Sequence, residues 1–388
     1  MKTWKINKLE KICEILDNKR VPISQKDRIR GIYPYYGASG IVDYIDKYIF
    51  DEELVLIGED GAKWDAFENS AFIASGKYWV NNHAHILKPN NEILINKFLV
   101  YFLNYSNLEK YITGATVKKL NQQKLKQIEI PLPSLKEQER IVGILDESFA
   151  NIDESIKILE QDLLNLDELM QSALQKAFNP LKDNSKGNYQ LPQGWEWKSL
   201  NSVVLKTSNI NPCNFNEDKF YYIDISSIDN KNFCICNIKN IYKQDAPSRA
   251  RKDVLYGDVL YATTRPNLKN IAVNYYNFNN IVASTGFCIL RANEKLNNKY
   301  LFFFLLSDIF DNYISKYIRG AQYPSVSDKD IFNSKIPLPP LQEQEQIAFY
   351  LDELFLNIKD LKQNYQTQIK NLQELKKSLL DKAFKGRL

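Results

Sequence analysis

The sequence predicts an α+β protein. Two α/β units are separated by two long helices that pair as an antiparallel coiled coil within the chain, in a pseudo-twofold repeat. Three observations carry this prediction. Segments 137–178 and 343–384 each run 42 residues without proline and with no glycine beyond Gly143, well past ordinary helix length. The chain repeats itself at an offset of 206 residues. Between the long segments stand short runs of valine, isoleucine, tyrosine and phenylalanine split by turn residues, which is the pattern of strands.

The elements follow in order. The first unit covers 1–129, with expected strands at 54–57, 71–74 and 85–87 and an expected helix at 96–105. A central repeat region with the first long helix covers 130–190. Within it Pro180, Asn184, Ser185 and Gly187, followed by Pro192, mark 179–192 as a loop. The second unit covers 191–335, with strands expected at 221–225, 258–262, 271–275 and 286–290 and a helix at 298–307. A C-terminal repeat region with the second long helix covers 336–388.

The repeat is ungapped. Residues 130–149 and 336–355 agree at 13 of 20 positions, and 172–178 (SALQKAF) matches 378–384 (SLLDKAF). Tyr111, Gly114 and Ala115 match Tyr317, Gly320 and Ala321. Pro131, Pro133, Pro337, Pro339 and Pro340 hold extended approaches to the helices. Ser134 stands at capping-box spacing before Glu137, and Pro340 removes that cap from the second copy. Apolar residues at Ile141, Leu145, Ile152, Ile156, Leu159, Leu163, Leu166, Met170, Ala173 and Ala177 form a seam. Ile347, Leu351, Leu354, Ile358, Leu361, Tyr365, Leu372, Leu375, Leu379 and Ala383 form the other. Such stripes need covering. Each helix is expected to cover the other, with two intermolecular coiled coils as the alternative.

A total charge of +4 conceals an uneven distribution. The two long segments carry −7 and −1, so the remainder carries +12. Basic units joined by acidic helices suit a polyanion and a protein partner respectively. With 44% apolar and 12% aromatic residues, the chain supports two or three packed domains and is not disordered. No run of about 18 apolar residues is present, and Met1-Lys2-Thr3-Trp4-Lys5 lacks a signal core. Five cysteines in 388 residues make no disulfide scaffold, so a cytoplasmic location is expected.

Candidate DNA contacts cluster on polar, aromatic or basic loops. In the first unit they are Lys19, Arg20, Tyr35, Ser39, Lys118 and Lys119. In the second they are Arg249, Arg251, Arg265, Asn267, Lys269, Arg319, Gln322 and Tyr323. Arginine and lysine hold phosphates or the guanine edge, and asparagine and glutamine read adenine. No Walker loop, dinucleotide fingerprint or Asn-Pro-Pro-Tyr tetrad is present, so no catalytic residue is assigned. His83 and His85, two apart on an expected strand, would point the same way but lack a third ligand. Cys234 and Cys236 are a poor zinc pattern, and no metal is expected. The paired acids Glu59 and Asp60 on the turn 58–61 read as the site of a bound cation or as a solvated turn rather than as catalysis.

The repeated Ile-Pro-Leu-Pro-x-Leu-x-Glu-Gln-Glu, followed by Leu-Asp-Glu and a long helix, resembles the specificity subunit of Type I restriction-modification systems. The Leu191-Pro-Gln-Gly-Trp195 opening, 33–40, 58–61 and 257–260 are also similar to that family. The resemblance covers essentially the whole chain. It implies two target-recognition domains, each reading one half of a split site in double-stranded DNA. It implies that the helices act as a ruler and as the dock for two methyltransferase subunits, with Glu137, Glu139, Glu343 and Glu345 as candidate partner contacts. This chain would hold no cofactor and would not be catalytic. The partners would carry S-adenosylmethionine and methylate adenine, and a restriction/translocase subunit could join. Three alternatives stay open: a methylation-only or differently assembled system, an enzyme with a cryptic site, and a coiled-coil scaffold that binds proteins only.

Overall fold

The computed structural model describes residues 4–114, 116, 118–179 and 191–388. Residues 1–3, 115, 117 and 180–190, the last including most of the expected loop, lie outside the described residues. The chain forms two compact units. One comprises Met1–Leu159 with Thr367–Leu388, the other Glu160–Gln366.

The first unit contains β1 (Lys5–Lys8), β2 (Cys13–Ile15), β3 (Arg30–Gly37), β4 (Gly40–Ile45), β5 (Phe50–Asp51), β6 (Leu54–Gly58), β7 (Ala71–Ala74), β8 (Lys77–Val80) and β9 (Ala84–Pro89). Helix α1 (Asn96–Tyr105), α2 (Gln122–Lys126) and β10 (Glu129–Leu132) lead into α3 (Leu135–Phe178). Two four-stranded sheets form, in the orders β2-β9-β6-β7 and β4-β3-β8-β5, and β1 pairs with β10. Strands β3 and β8 run parallel. Leu54 and Leu56 pack with Tyr78 and Ile86 on one face of β6. Val55 and Ile57 pack with Phe98, Leu99 and Leu103 on the other. A strand buried on both faces reads as a continuous apolar run, which is why 54–57 is legible in the sequence.

The second unit contains β11 (Glu196–Ser199), β12 (Val204–Leu205), β13 (Lys219–Ile223), β14 (Ile228–Asp229), β15 (Cys234–Ile235), β16 (Lys239–Tyr242), β17 (Ala250–Asp253), β18 (Val259–Ala262), β19 (Ile271–Val273), β20 (Ile281–Ser284) and β21 (Phe287–Ala292). Helices α4 (Asn298–Leu306), α5 (Asp308–Ile314) and α6 (Asp328–Phe332) and strand β22 (Lys335–Leu338) lead into α7 (Leu341–Phe384). Its sheets are ordered β12-β21-β18-β19 and β16-β13-β20-β17, with β11 on β22. The topology of the first unit is thus repeated strand for strand, including the parallel pair β13–β20. The hairpin β14–β15 is additional.

Both long helices begin two residues before the expected start, at equivalent repeat positions. The start does not depend on the serine cap. Pro340 accepts the Glu343 and Gln344 N–H groups through its backbone carbonyl, as Ser134 does for Glu137 and Gln138. The helices run antiparallel. In the first unit Arg140 reaches Leu388, while Asp153 pairs with Lys376. In the second, Asp167 pairs with Lys362. The expected seam needs one correction. Leu361 and Leu375 are exposed, and the adjacent Lys362 and Lys376 lean across instead. A straight helix drifts by about 20° per heptad against a strict seven-residue repeat, so a seam read in heptads slides off the contact face.

The repeat motif clamps each unit to its helix. Gln138 is fully buried. Its amide oxygen accepts the Ile95 N–H at 2.9 Å. Its amide nitrogen donates to the Ile93 and Pro133 carbonyls at 2.8 and 3.0 Å. Gln344 repeats the pattern with Asn297 N–H, Lys295 and Pro339, all at 2.9 Å. Lys97 and Tyr101 of α1 bond to Asp146 at 2.7 and 2.6 Å, and Lys299 pairs with Asp352. Phe384 stacks on Tyr105, and Phe178 meets Tyr300 and Phe304. Each unit is therefore held by the start of one long helix and the end of the other.

Candidate nucleic-acid interface

Two loops meet in each unit, at equivalent positions. In the second unit, the loop after β18 forms a tight turn over Pro266–Leu268. The loop over 319–325 closes on itself through paired backbone hydrogen bonds of 2.9 Å between Arg319 and Ser325. Thr264 bridges Ser325, and the Arg265 N–H donates to the Pro324 carbonyl at 2.7 Å. Gly320 sits at φ +87, where a Cβ would lie 2.8 Å from the Tyr323 carbonyl oxygen, so the turn requires glycine.

This juxtaposition brings Arg265, Asn267, Arg319, Gln322 and Tyr323 onto one surface. The Arg265 guanidinium lies 5.7 Å from the Tyr323 ring centroid, and Tyr323 is 74% exposed. Arg265 itself is exposed and held at φ 50. A left-handed conformation at a non-glycine residue costs on the order of 1 kcal/mol and marks sites kept for another reason. Arg319 pairs with Asp330 at 2.8 Å. That arginine, together with the Ser327 hydroxyl and N–H, outweighs the opposing effect of burial and holds the Asp330 carboxyl well below the usual range. Lys269 closes the turn, also left-handed, and pairs with Asp311. Arg249 is exposed next to β17. Its carbonyl accepts the Thr285 N–H at 2.8 Å, and Gly286 accepts the Thr263 N–H at 2.8 Å. Arg251 is half-buried and turns back to the Ala250 carbonyl at 2.8 Å.

In the first unit Asp60 bridges Lys119, and Thr113 bridges Lys119, as Thr264 and Arg319 bridge Ser325. Gly61, at φ +72, occupies the position of Arg265. Lys118 is exposed and pairs with Glu109 at 2.8 Å. Lys119 pairs with Glu59 at 2.8 Å. Lys19 is exposed in the segment after β2, and Ser39 is exposed on the β3–β4 turn.

Two expectations are corrected here. Tyr35 is only 1% exposed. Its hydroxyl accepts the Ile23 N–H at 2.9 Å, and Arg28 covers its ring at 4.6 Å. It lies on the inner face of β3 and braces the preceding loop, so it cannot reach DNA. Arg20 is also committed inward, to Glu59 and to the Asp17, Asn82 and Ala84 carbonyls. The histidines do not share a partner. His83 lies in the turn before β9, half exposed, with Nδ1 2.5 Å from Asp60. His85 is fully buried in β9 against Asp17.

Asp17, Glu59 and His85 are the group whose spacing could suit a metal ion among the described residues. Arg20 and Lys119 already neutralise those carboxylates, so the group is an ion network. Burial pushes the Asp17 carboxyl up, but His85, the Ile86 N–H and Arg20 outweigh it. Burial likewise opposes ionisation of Glu59, and Lys119, Arg20 and His85 outweigh it. Both carboxyls are thus lowered on folding. Their stabilisation is present above their unfolded values near about 4 and is lost as pH falls through the folded values. Asp17→Asn with Glu59→Gln is expected to lower the urea midpoint at pH 7, and the gap to the unsubstituted chain should narrow below about pH 4. A gap that stays constant with pH would contradict this sign.

Sequence reasoning missed Gln138 and Gln344, although their identity in both copies was visible. It also missed the loop pairing, whose sequence trace was the match of Tyr111, Gly114 and Ala115 with Tyr317, Gly320 and Ala321.

The profile of the Type I restriction modification DNA specificity domain matches residues 1–164 and 192–371. The chain belongs to this family. A putative type I restriction enzyme specificity subunit from Haemophilus influenzae is 42% identical over 144 residues, which is 37% of this chain and 36% of that protein. The EcoDI specificity subunit from Escherichia coli is 23% identical over 92% of this chain and 83% of its own length. The MjaVIII specificity subunit from Methanocaldococcus jannaschii is 24% identical over 99% and 93%. A solved chain from work on complex assembly and conformational transition of the type I R-M system matches with a TM-score of 0.71 at 20% identity. It covers 100% of this chain and 99% of its own. The HsdS subunit from Thermoanaerobacter tengcongensis matches at 0.58 and 21%. These likenesses show the fold. As a family member, the chain is a DNA-specificity subunit, a recognition chain and not a catalytic one. No helix among the described residues is long and apolar enough to cross a membrane.

Proposed function

We propose that the chain reads a split target in double-stranded DNA, with recognition domains 1–129 and 191–335 each taking one half. The observation that carries this reading is the loop pair, built twice on the same strands and presenting exposed basic side chains in each unit, with the exposed Tyr323 beside them in the second. Arg265, Asn267, Gln322 and Tyr323 contact the base edges of one half-site. Arg249, Arg251, Lys269 and Arg319 hold its phosphates. Lys19, Ser39, Lys118 and Lys119 serve the other half. Arg20 supports that surface from beneath.

The long helices dock two methyltransferase subunits. Glu139 and Glu345 are exposed at matching positions. Glu137 pairs with Arg140 at 2.8 Å, and Glu343 accepts the Trp195 ring N–H at 3.2 Å; both lie on the same turns. The methyltransferase partners carry S-adenosylmethionine and methylate adenine, and restriction/translocase subunits join the assembly in the cytoplasm.

Phosphate contacts release counterions, so affinity depends steeply on salt. The chain assembled with its methyltransferase partners is expected to lose at least about a thousandfold in duplex affinity between 50 and 200 mM salt. A salt-independent affinity, or none for duplex DNA, would favour a protein scaffold instead.

A further inference from the structure

The reading loops of the first unit rest on a charged cluster that the second unit lacks. Strand register places Cys288 where the first unit has His85, since Ile57 faces His85 as Tyr261 faces Cys288. Thr263 stands where the first unit has Glu59: each accepts the N–H that closes its reading loop, from Val326 and Leu120 respectively.

We propose that this cluster positions the reading loop of the first recognition unit, so that base discrimination at one half-site depends on His85 while the other half-site does not. The inference rests on the recognition function proposed above. Both imidazole nitrogens face oxygens. Nδ1 lies 2.6 Å from the Asp17 carboxylate, and Nε2 lies 2.6 Å from the Leu120 carbonyl. That carbonyl belongs to the residue directly after Lys119, so the ring ties the end of the reading loop to the segment after β2. Glu59 completes the tie, with one carboxylate oxygen on Arg20 and the other on Lys119. Asp17 is fixed in turn by the Ile86 N–H at 3.0 Å.

A buried donor bonded at both ends sets a loop's position to a fraction of an ångström, which is the tolerance base recognition requires. The second unit holds its loop from another side, through Arg319 and Asp330. His85 is a positioning residue: it is fully buried and touches no DNA.

The test is selection from a random duplex library by the full chain assembled with its methyltransferase partners. His85→Cys copies the residue of the second unit, and Asp17→Asn keeps the shape while removing the charge. Arg265→Ala marks which half-site belongs to the second unit. Each cluster variant is expected to reduce discrimination about tenfold at the unmarked half-site alone. Selection is run at a temperature where every variant is fully folded by circular dichroism, and loss at both half-sites equally, or at neither, would overturn the proposal. If the unsubstituted chain itself selects no two-part sequence, the recognition function fails and not merely this device.

Discussion

Replacing Gln344 with leucine is expected to destabilise the second unit by about 3 kcal/mol. Leucine approximates the volume but leaves the Asn297 N–H and the Lys295 and Pro339 carbonyls without their partner. Buried backbone groups left unpaired cost more than the hydrogen bond is worth when made. Gln138→Leu should cost the first unit a similar amount, for the same three contacts. Urea unfolding gives the magnitude. Amide exchange gives the place: faster exchange at 295–306 for Gln344→Leu and at 93–105 for Gln138→Leu. A change under about 1 kcal/mol, or exchange spread evenly through the chain, would show that the glutamine is not the clamp. Ser134→Ala, by contrast, should change little, because the second copy starts its helix at the same place with proline.

Arg265→Gly should separate stability from recognition. Glycine relieves the left-handed conformation at φ 50, and the first unit already has Gly61 at the equivalent position. Relief of strain and the greater freedom of the unfolded chain oppose each other, so stability should stay level or rise by up to about 1 kcal/mol. Discrimination at one base pair should fall by about 1–3 kcal/mol if the guanidinium reads a base. A uniform loss over all sequences would reassign it to phosphate. Unaltered affinity and specificity would remove Arg265 from the interface.

The long helices were legible because helical periodicity sustained over 42 residues leaves little competing explanation. Their starts were misplaced by two residues, since the proline approach and the first turn look alike in sequence. The doubled sheet topology was not legible. The two units are offset by 191 residues at their first strands and by 206 at their last, with the hairpin β14–β15 among the additional residues. Between those ends a few core side chains agree, as Val55 does with Val259, Leu56 with Leu260, Ile86 with Ile289 and Leu87 with Leu290, but neighbours in the same strands do not: His85 and Cys288 occupy one position. Charge pointed to basic loops, but it does not distinguish an exposed arginine from one turned inward. Arg265 and Arg20 look equivalent in sequence. They differ because Arg20 has Glu59 beneath it, 39 positions away, and no local pattern records that neighbour. Tyr35 and Tyr323 diverge for a similar reason, one on the inner face of a strand and the other on an open turn.

The most direct measurement is a map of methylated adenines in cells that carry this chain with its partner subunits, compared with cells in which the chain is deleted. The account predicts one methylated sequence made of two specific parts separated by a fixed unspecific gap, lost on deletion. Arg265→Ala should alter one part only. A contiguous target, or methylation that persists without the chain, would contradict it.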